Sequence, residues 1–138
     1  MFEQCLYFNT TSLARLVEKA WADAFREFGL TPSQAFCLRV VNARPGIRPS
    51  ELADILGVSR ATATRLLDHL QAKGWVTRLA YGADNRELSV MPTGKAKSSA
   101  SQIERSGAEM SKKMKAALSG SELSAIVEKL RIAKIGLS

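Results

Sequence analysis

The stretch from Ile47 to Thr93 constrains this chain most. Two short segments of helical periodicity meet at a glycine, and two β-rich segments follow around a polar loop. The first segment, Pro49 to Leu56, carries Leu52, Ala53, Ile55 and Leu56 on one face. Gly57 ends it, because the residue after a helix favours positive φ, which costs glycine nothing. Ser59 is a good N-cap for the second segment, about Arg60 to Lys73, and Gly74 stops that one. Two short helices joined by a tight, glycine-containing turn form a helix-turn-helix.

The second helix has two faces. Ala63, Leu66, Leu67 and Leu70 recur at helical spacing and should face the core. Arg60, Ala61, Thr62, Thr64, Arg65, Asp68 and His69 then point outward. That face is polar, short and basic near its N-terminus, which suits entry into a DNA major groove. The plainer alternative is an ordinary solvated face. Trp75 to Ala80 and Glu87 to Met91 read as paired strands, with Tyr81-Gly82-Ala83-Asp84-Asn85-Arg86 as the hairpin loop. A helix-turn-helix followed by a hairpin is a winged helix.

At this point the chain resembles the MarR family of bacterial transcription regulators. The resemblance rests on Glu51-Leu52-Ala53, on Val58-Ser59-Arg60-Ala61-Thr62, on Arg65 through Leu70 and on Lys73-Gly74-Trp75-Val76. Asp84-Asn85-Arg86 fits the family's Asp-x-Arg wing motif, and Thr93-Gly94 opens the next helix. The series in this order is specific, whereas any one piece alone is weak.

The rest of the chain gives the frame. Its 138 residues make one domain, long enough to bury a core. A net charge of +7 favours an anionic partner, nucleic acid first. No apolar run approaches the ~18 residues of a membrane span. Glu3 and Asn9 interrupt any signal-like start, so the expected compartment is the cytoplasm, with no membrane partner. Cys5 and Cys37 lie far apart and suggest no disulfide framework.

In chain order, about Thr10 to Phe28 reads as a long helix closed by Gly29. Its stripe runs through Leu13, Leu16, Val17, Ala20, Trp21, Ala24 and Phe28, and Leu6-Tyr7-Phe8 can extend it upstream. Thr31-Pro32-Ser33-Gln34 is a capping box opening a second helix that stops before Pro45. Ile47 should add one rung to the wing sheet. Arg48 is a poor N-cap, with Glu51 expected to help the exposed amides. Thr93 caps a long polar helix to about Leu118, inside which Gly107 costs roughly 1 kcal/mol relative to Ala. Ser119 and Glu122 form a second capping box, and the last helix runs to about Ile135. The expected fold is mainly α with a small β-hairpin wing. The winged helix-turn-helix occupies 31–92, and amphipathic helices over 1–30 and 93–138 flank it within a single chain of 1–138.

The resemblance implies more. Family members are homodimers joined through their first and last helices, so the flanking segments become dimerisation helices. A dimer sets two recognition helices about one DNA turn apart, ~34 Å, which implies double-stranded DNA with a pseudo-palindromic operator. Ser59, Ala61, Thr62 and Arg65 are expected at base edges, Arg60 at base or phosphate, and Thr64 and His69 on the same surface. Arg65 suits a bidentate contact to guanine. Arg86 is the wing residue for the minor groove or phosphate, held by Asp84. Arg78, Lys95 and Lys97 are expected phosphate contacts.

A repressor of this family often responds to a small aromatic or phenolic molecule bound between the DNA module and the dimerisation helices. Tyr7, Trp21, Phe25 and Phe36 are the candidates to line such a cavity, although such residues are more often plain core. Other members sense organic peroxides through a cysteine near the start of the first helix, and Cys5-Leu6-Tyr7-Phe8 is similar. The tyrosine positions that accompany that cysteine carry Asn9 and Lys19 here. Cys37 reads as a core thiol.

No enzyme is expected. His69 is the single histidine, no cluster has metal-ligand spacing, and neither a phosphate-binding glycine loop nor a Gly-x-Ser-x-Gly elbow occurs. Neither a metal nor a cofactor is expected. A third alternative is a winged helix that serves an architectural or adaptor role without sensing.

Overall fold

A computed structural model describes residues 1–83 and 87–138. Helix α1 is Leu6–Ala24, followed by a single 3₁₀ turn at Arg26–Phe28. Helices α2 (Pro32–Ala43), α3 (Pro49–Leu56) and α4 (Arg60–Ala72) precede strands β1 (Val76–Tyr81) and β2 (Glu87–Pro92). Helices α5 (Gly94–Ala117) and α6 (Gly120–Leu137) complete the chain.

The first helix starts earlier than Thr10 and breaks sooner than Phe28. The Thr10, Thr11 and Ser12 hydroxyls donate back to the Leu6, Tyr7 and Phe8 carbonyls at 2.7, 2.8 and 2.7 Å. These side chains therefore lie inside a helix and cap nothing. At the far end Phe25 leaves helical geometry and turns its ring into the core, where it is fully buried. Gly29, at φ 67°, closes the 3₁₀ turn.

Helix α2 begins with the full capping box: Thr31 accepts from the Gln34 amide and Gln34 accepts from the Thr31 amide, both at 3.2 Å. At α3 Arg48 makes no capping bond, and its guanidinium pairs instead with Glu51. Pro49 at the first position already lacks one of the amides that a cap would serve. At α6 Ser119 accepts the Glu122 amide at 3.4 Å, which is half of the expected box.

The two strands pair antiparallel, Val76 opposite Pro92 through Tyr81 opposite Glu87. Ile47 adds its single rung against Val90. The hairpin starts one residue later than expected because the Trp75 amide returns to the Leu70 carbonyl at 2.8 Å and finishes α4.

One core joins these elements. Phe25, Leu38, Leu52, Leu67, Leu70, Val76, Val90 and Ile103 are buried in a single cluster. Helix α5 reaches that core through Ala96 and Ile103, α1 touches it with the half-buried Trp21 and Ala24, and neither α1 nor α6 has a fully buried residue. Among the described residues no helix is long and apolar enough to cross a membrane.

Candidate nucleic-acid interface

Gly57, at φ 67°, turns the chain out of α3 and lets Val58 and Ser59 lead into α4. Ser59 accepts the Thr62 amide at 3.1 Å, so it caps α4 as expected. Ala63, Leu67 and Leu70 are buried and Leu66 is half-buried. Seated by that face, α4 exposes Ser59, Arg60, Ala61, Thr64, Arg65, Asp68 and His69. Six of the expected contact residues thus share one exposed, N-terminally basic surface.

Thr62 differs. It is half-buried and its side chain lines a cavity beneath α4. Its Oγ1 accepts from the Ser59 hydroxyl at 3.0 Å and from Arg65 Nη2 at 3.3 Å. Thr62 thus lies deeper than the exposed residues around it on α4.

Two of the expected phosphate contacts are engaged within the protein. Arg78 donates to Gln71 Oε1 at 2.9 Å and pairs with Asp68 at 2.7 Å. It ties β1 to the outer face of α4, where a solvent-facing guanidinium was expected. Lys95 donates to the Lys73 carbonyl at 3.0 Å and stands 4.1 Å above the Trp75 ring. There it satisfies the end of α4. Lys97 stays exposed. Lys73, not singled out from sequence, donates to the Gly29 carbonyl at 2.7 Å and to Gln34 at 3.0 Å. Its place after α4 gives no sign of those partners. Asp84, Asn85 and Arg86 lie outside the described residues.

Between α1 and the helix-turn-helix lies a cavity of about 480 Å³, walled chiefly by Val17, Trp21, Phe36, Ile55, Thr62 and Leu66. Trp21 and Phe36 meet edge to face, with centroids 5.3 Å apart. Phe25 is buried behind them, 6.0 Å from the Trp21 ring and 6.2 Å from the Phe36 ring, and forms no part of the wall. Tyr7 is 77% exposed near the start of α1 and is not in the wall either. Two of the four expected lining residues are therefore in place. Glu18 is the one charged side chain among the lining residues.

Phe36 also leads out of the cavity. Arg39, one turn on, lies 4.8 Å over its ring and forks onto Glu104 of α5 at 2.9 and 3.0 Å. Gly107 makes room for this: a Cβ there would stand 2.9 Å from Arg39 Nη1. By sequence alone Gly107 is only a cost to α5.

Cys5 is exposed at the N-cap of α1, and Cys37 is buried. Asn9, at one of the positions where a tyrosine was sought, donates to the Cys5 carbonyl at 2.8 Å and the Glu3 carbonyl at 3.0 Å. It fastens the chain before α1. Burial pushes the Cys37 thiol up to about 12. Among the described residues no group of histidine, cysteine and carboxylate side chains could hold a metal.

Comparison with known proteins agrees with this geometry. A family model described as MarR family matches residues 28–87. The transcriptional repressor MprA of Escherichia coli (strain K12) is 45% identical over 49 residues, 36% of this chain and 28% of that protein. An HTH-type transcriptional regulator of Bacillus subtilis (strain 168), YwoH, is 33% identical over 93 residues, 65% of each protein. The matched segments therefore span less than two thirds of either relative. Among solved structures, the transcriptional repressor CouR bound to a 23-mer DNA duplex superposes with a TM-score of 0.85. It is 22% identical, with 96% of this chain and 94% of that chain covered. A mutant MarR from E. coli complexed with operator DNA gives a TM-score of 0.82 at 22% identity, with 96% and 97% covered.

Proposed function

Since the chain belongs to the MarR family of winged helix-turn-helix transcription regulators, we propose that it is a homodimeric, sequence-specific DNA-binding repressor that a small ligand modulates. The observation that carries the DNA reading is α4 itself. Its apolar face is locked in the core, and Arg60 and Arg65 stand exposed on its first two turns. The first residues of such a helix are those that reach base edges in a major groove. A charge of +7 supplies the salt-dependent attraction to phosphate. Ser59, Ala61 and Arg65 then read bases, Arg60 meets base or phosphate, and Thr64, His69 and Lys97 flank them. Arg86 serves the wing.

Apolar side chains that the protomer leaves in water support the dimer. Leu16 is 69% exposed, and Ile135 and Leu137 are 77% and 80% exposed. Leaving that much apolar surface wet on both terminal helices is unfavourable, and a second copy covers it. The cavity is the effector site in this reading. Its volume suits a small aromatic molecule, and its two rings offer edge and face contacts. Glu18 in the wall favours a neutral phenol over an aromatic carboxylate, which would be desolvated beside a like charge.

Titration of the promoter DNA beside its own gene, at low and high salt, tests the function. Saturable binding that prefers this DNA over an unrelated duplex is expected. Uniform binding to any duplex would support the architectural role instead. Arg86→Ala should weaken the specific complex at least ten-fold with an unchanged melting temperature. Equal affinity for variant and parent would remove Arg86 from the interface.

A further inference from the structure

We infer that Thr62 is a positioning residue: it sets the Arg65 guanidinium for base reading and touches no base itself. The inference rests on the DNA-reading role of α4 proposed above and goes beyond it by dividing labour within the recognition surface.

Three hydrogen bonds carry it. The Thr62 amide donates to Ser59 Oγ at 3.1 Å, and the Ser59 hydroxyl donates back to Thr62 Oγ1 at 3.0 Å. The same Oγ1 accepts from Arg65 Nη2 at 3.3 Å. Thr62 is thus fixed by the helix cap on one side and holds Arg65 on the other. Its side chain is half-buried and forms part of the cavity wall, so it lies behind the exposed surface. Arg65 is exposed and long. An untethered arginine of this kind loses several rotatable bonds when it docks on a base edge. A hydrogen bond from a fixed hydroxyl restricts those rotamers beforehand.

The chemistry needed is an acceptor oxygen at this one place. Thr62→Ser keeps it. Thr62→Val removes it and retains the branched bulk that the cavity wall requires. A purely structural Thr62 would make the opposite demand, tolerating valine at least as well as serine.

The test starts from the full-length parent protein and a randomised duplex library, from which a preferred site is selected. Affinity for that duplex is then measured for Thr62→Val, Thr62→Ser, Arg65→Ala and the Thr62→Val/Arg65→Ala double variant. Thermal melting and binding to an unrelated duplex check that each is folded. Thr62→Val should lose about two- to ten-fold, the factor that ordering one long side chain represents. Thr62→Ser should retain parental affinity, and Thr62→Val should cost nothing further once Arg65 is alanine. Any of three results overturns the inference: no loss in Thr62→Val, losses that add fully, or altered preference at a base that Arg65→Ala leaves alone. If Thr62→Val fails to fold, Thr62→Ala takes its place in the same cycle. A parent protein that selects no sequence would refute the DNA-reading function itself, a distinct result from a parent that selects a site without coupling between the two residues.

Discussion

Cys37 and Cys5 show how placement decides a side chain's chemistry. Cys37 faces the core from α2, where burial favours the neutral thiol and raises its pKa from 9.0 to about 12. Cys5 is exposed. A neutral-pH thiol reagent should therefore modify one cysteine rapidly in the native protein and two after denaturation. Equal rates for both would contradict the burial. The shift also has a sign. Between pH 9.0 and about 12 the unfolded thiol ionises while the folded one keeps its proton, so this contribution to stability falls as pH rises. Cys37→Ala should flatten the alkaline loss of stability relative to the parent, measured by urea unfolding at pH 8 and pH 10. Much at this scale was legible in the sequence, because capping and helix periodicity are local. Ser59, Thr31 and the buried run Ala63, Leu67 and Leu70 follow from residues within a turn or two. Arg78, Lys95 and Lys73 were not legible as structural groups. Each finds its partners on another element or at the end of a helix, so charge and exposure alone marked two of them as phosphate contacts. Thr62 is half-buried, which its polarity does not announce, because the depth of a residue at the edge of the apolar face is set by the cavity beneath it.

Among the elements, α2 and α5 are joined by Arg39, one turn from the cavity residue Phe36. Arg39 caps the Phe36 ring, forks onto Glu104 and occupies the space above Gly107. The ion pair is partly exposed and worth ~0–1 kcal/mol, and the ring contact adds about 0.5–1 kcal/mol. Alanine at Gly107 gains roughly 1 kcal/mol of helix propensity but displaces the guanidinium. The two effects nearly cancel. Gly107→Ala alone should leave stability within about 1 kcal/mol of the parent, yet in an Arg39→Ala background it should stabilise by about 0.5–1 kcal/mol. Urea unfolding at a fixed protein concentration measures this cycle. The same small effect in both backgrounds would mean that Gly107 is not kept for Arg39. The elements themselves were legible from glycines and caps, since Gly57, Gly74 and Thr93 bound them as expected. The meaning of Gly107 was not, because a mid-helix glycine reads only as a cost until the side chain crossing it is known.

At the scale of the whole molecule, the terminal helices are built for burial that one protomer does not provide. Helices α1 and α6 have no fully buried residue in the protomer, α1 meeting the core only through half-buried side chains such as Trp21 and Ala24, while α4 is seated firmly in the core. The apolar stripes on α1 and α6 were visible in the sequence. What covers them was not, since a stripe specifies that it must be buried and not by which surface. Operator binding of this kind requires two copies, joined at their ends, that present both α4 surfaces to one face of a duplex. Light scattering on the free protein, and on its complex with the selected duplex, tests that requirement most directly when combined with a footprint of the same complex. Twice the 15.0 kDa chain mass, about 30 kDa, should be found free, and that mass plus one duplex in the complex, with two protected half-sites one helical turn apart. A single 15.0 kDa chain on one protected half-site would contradict it.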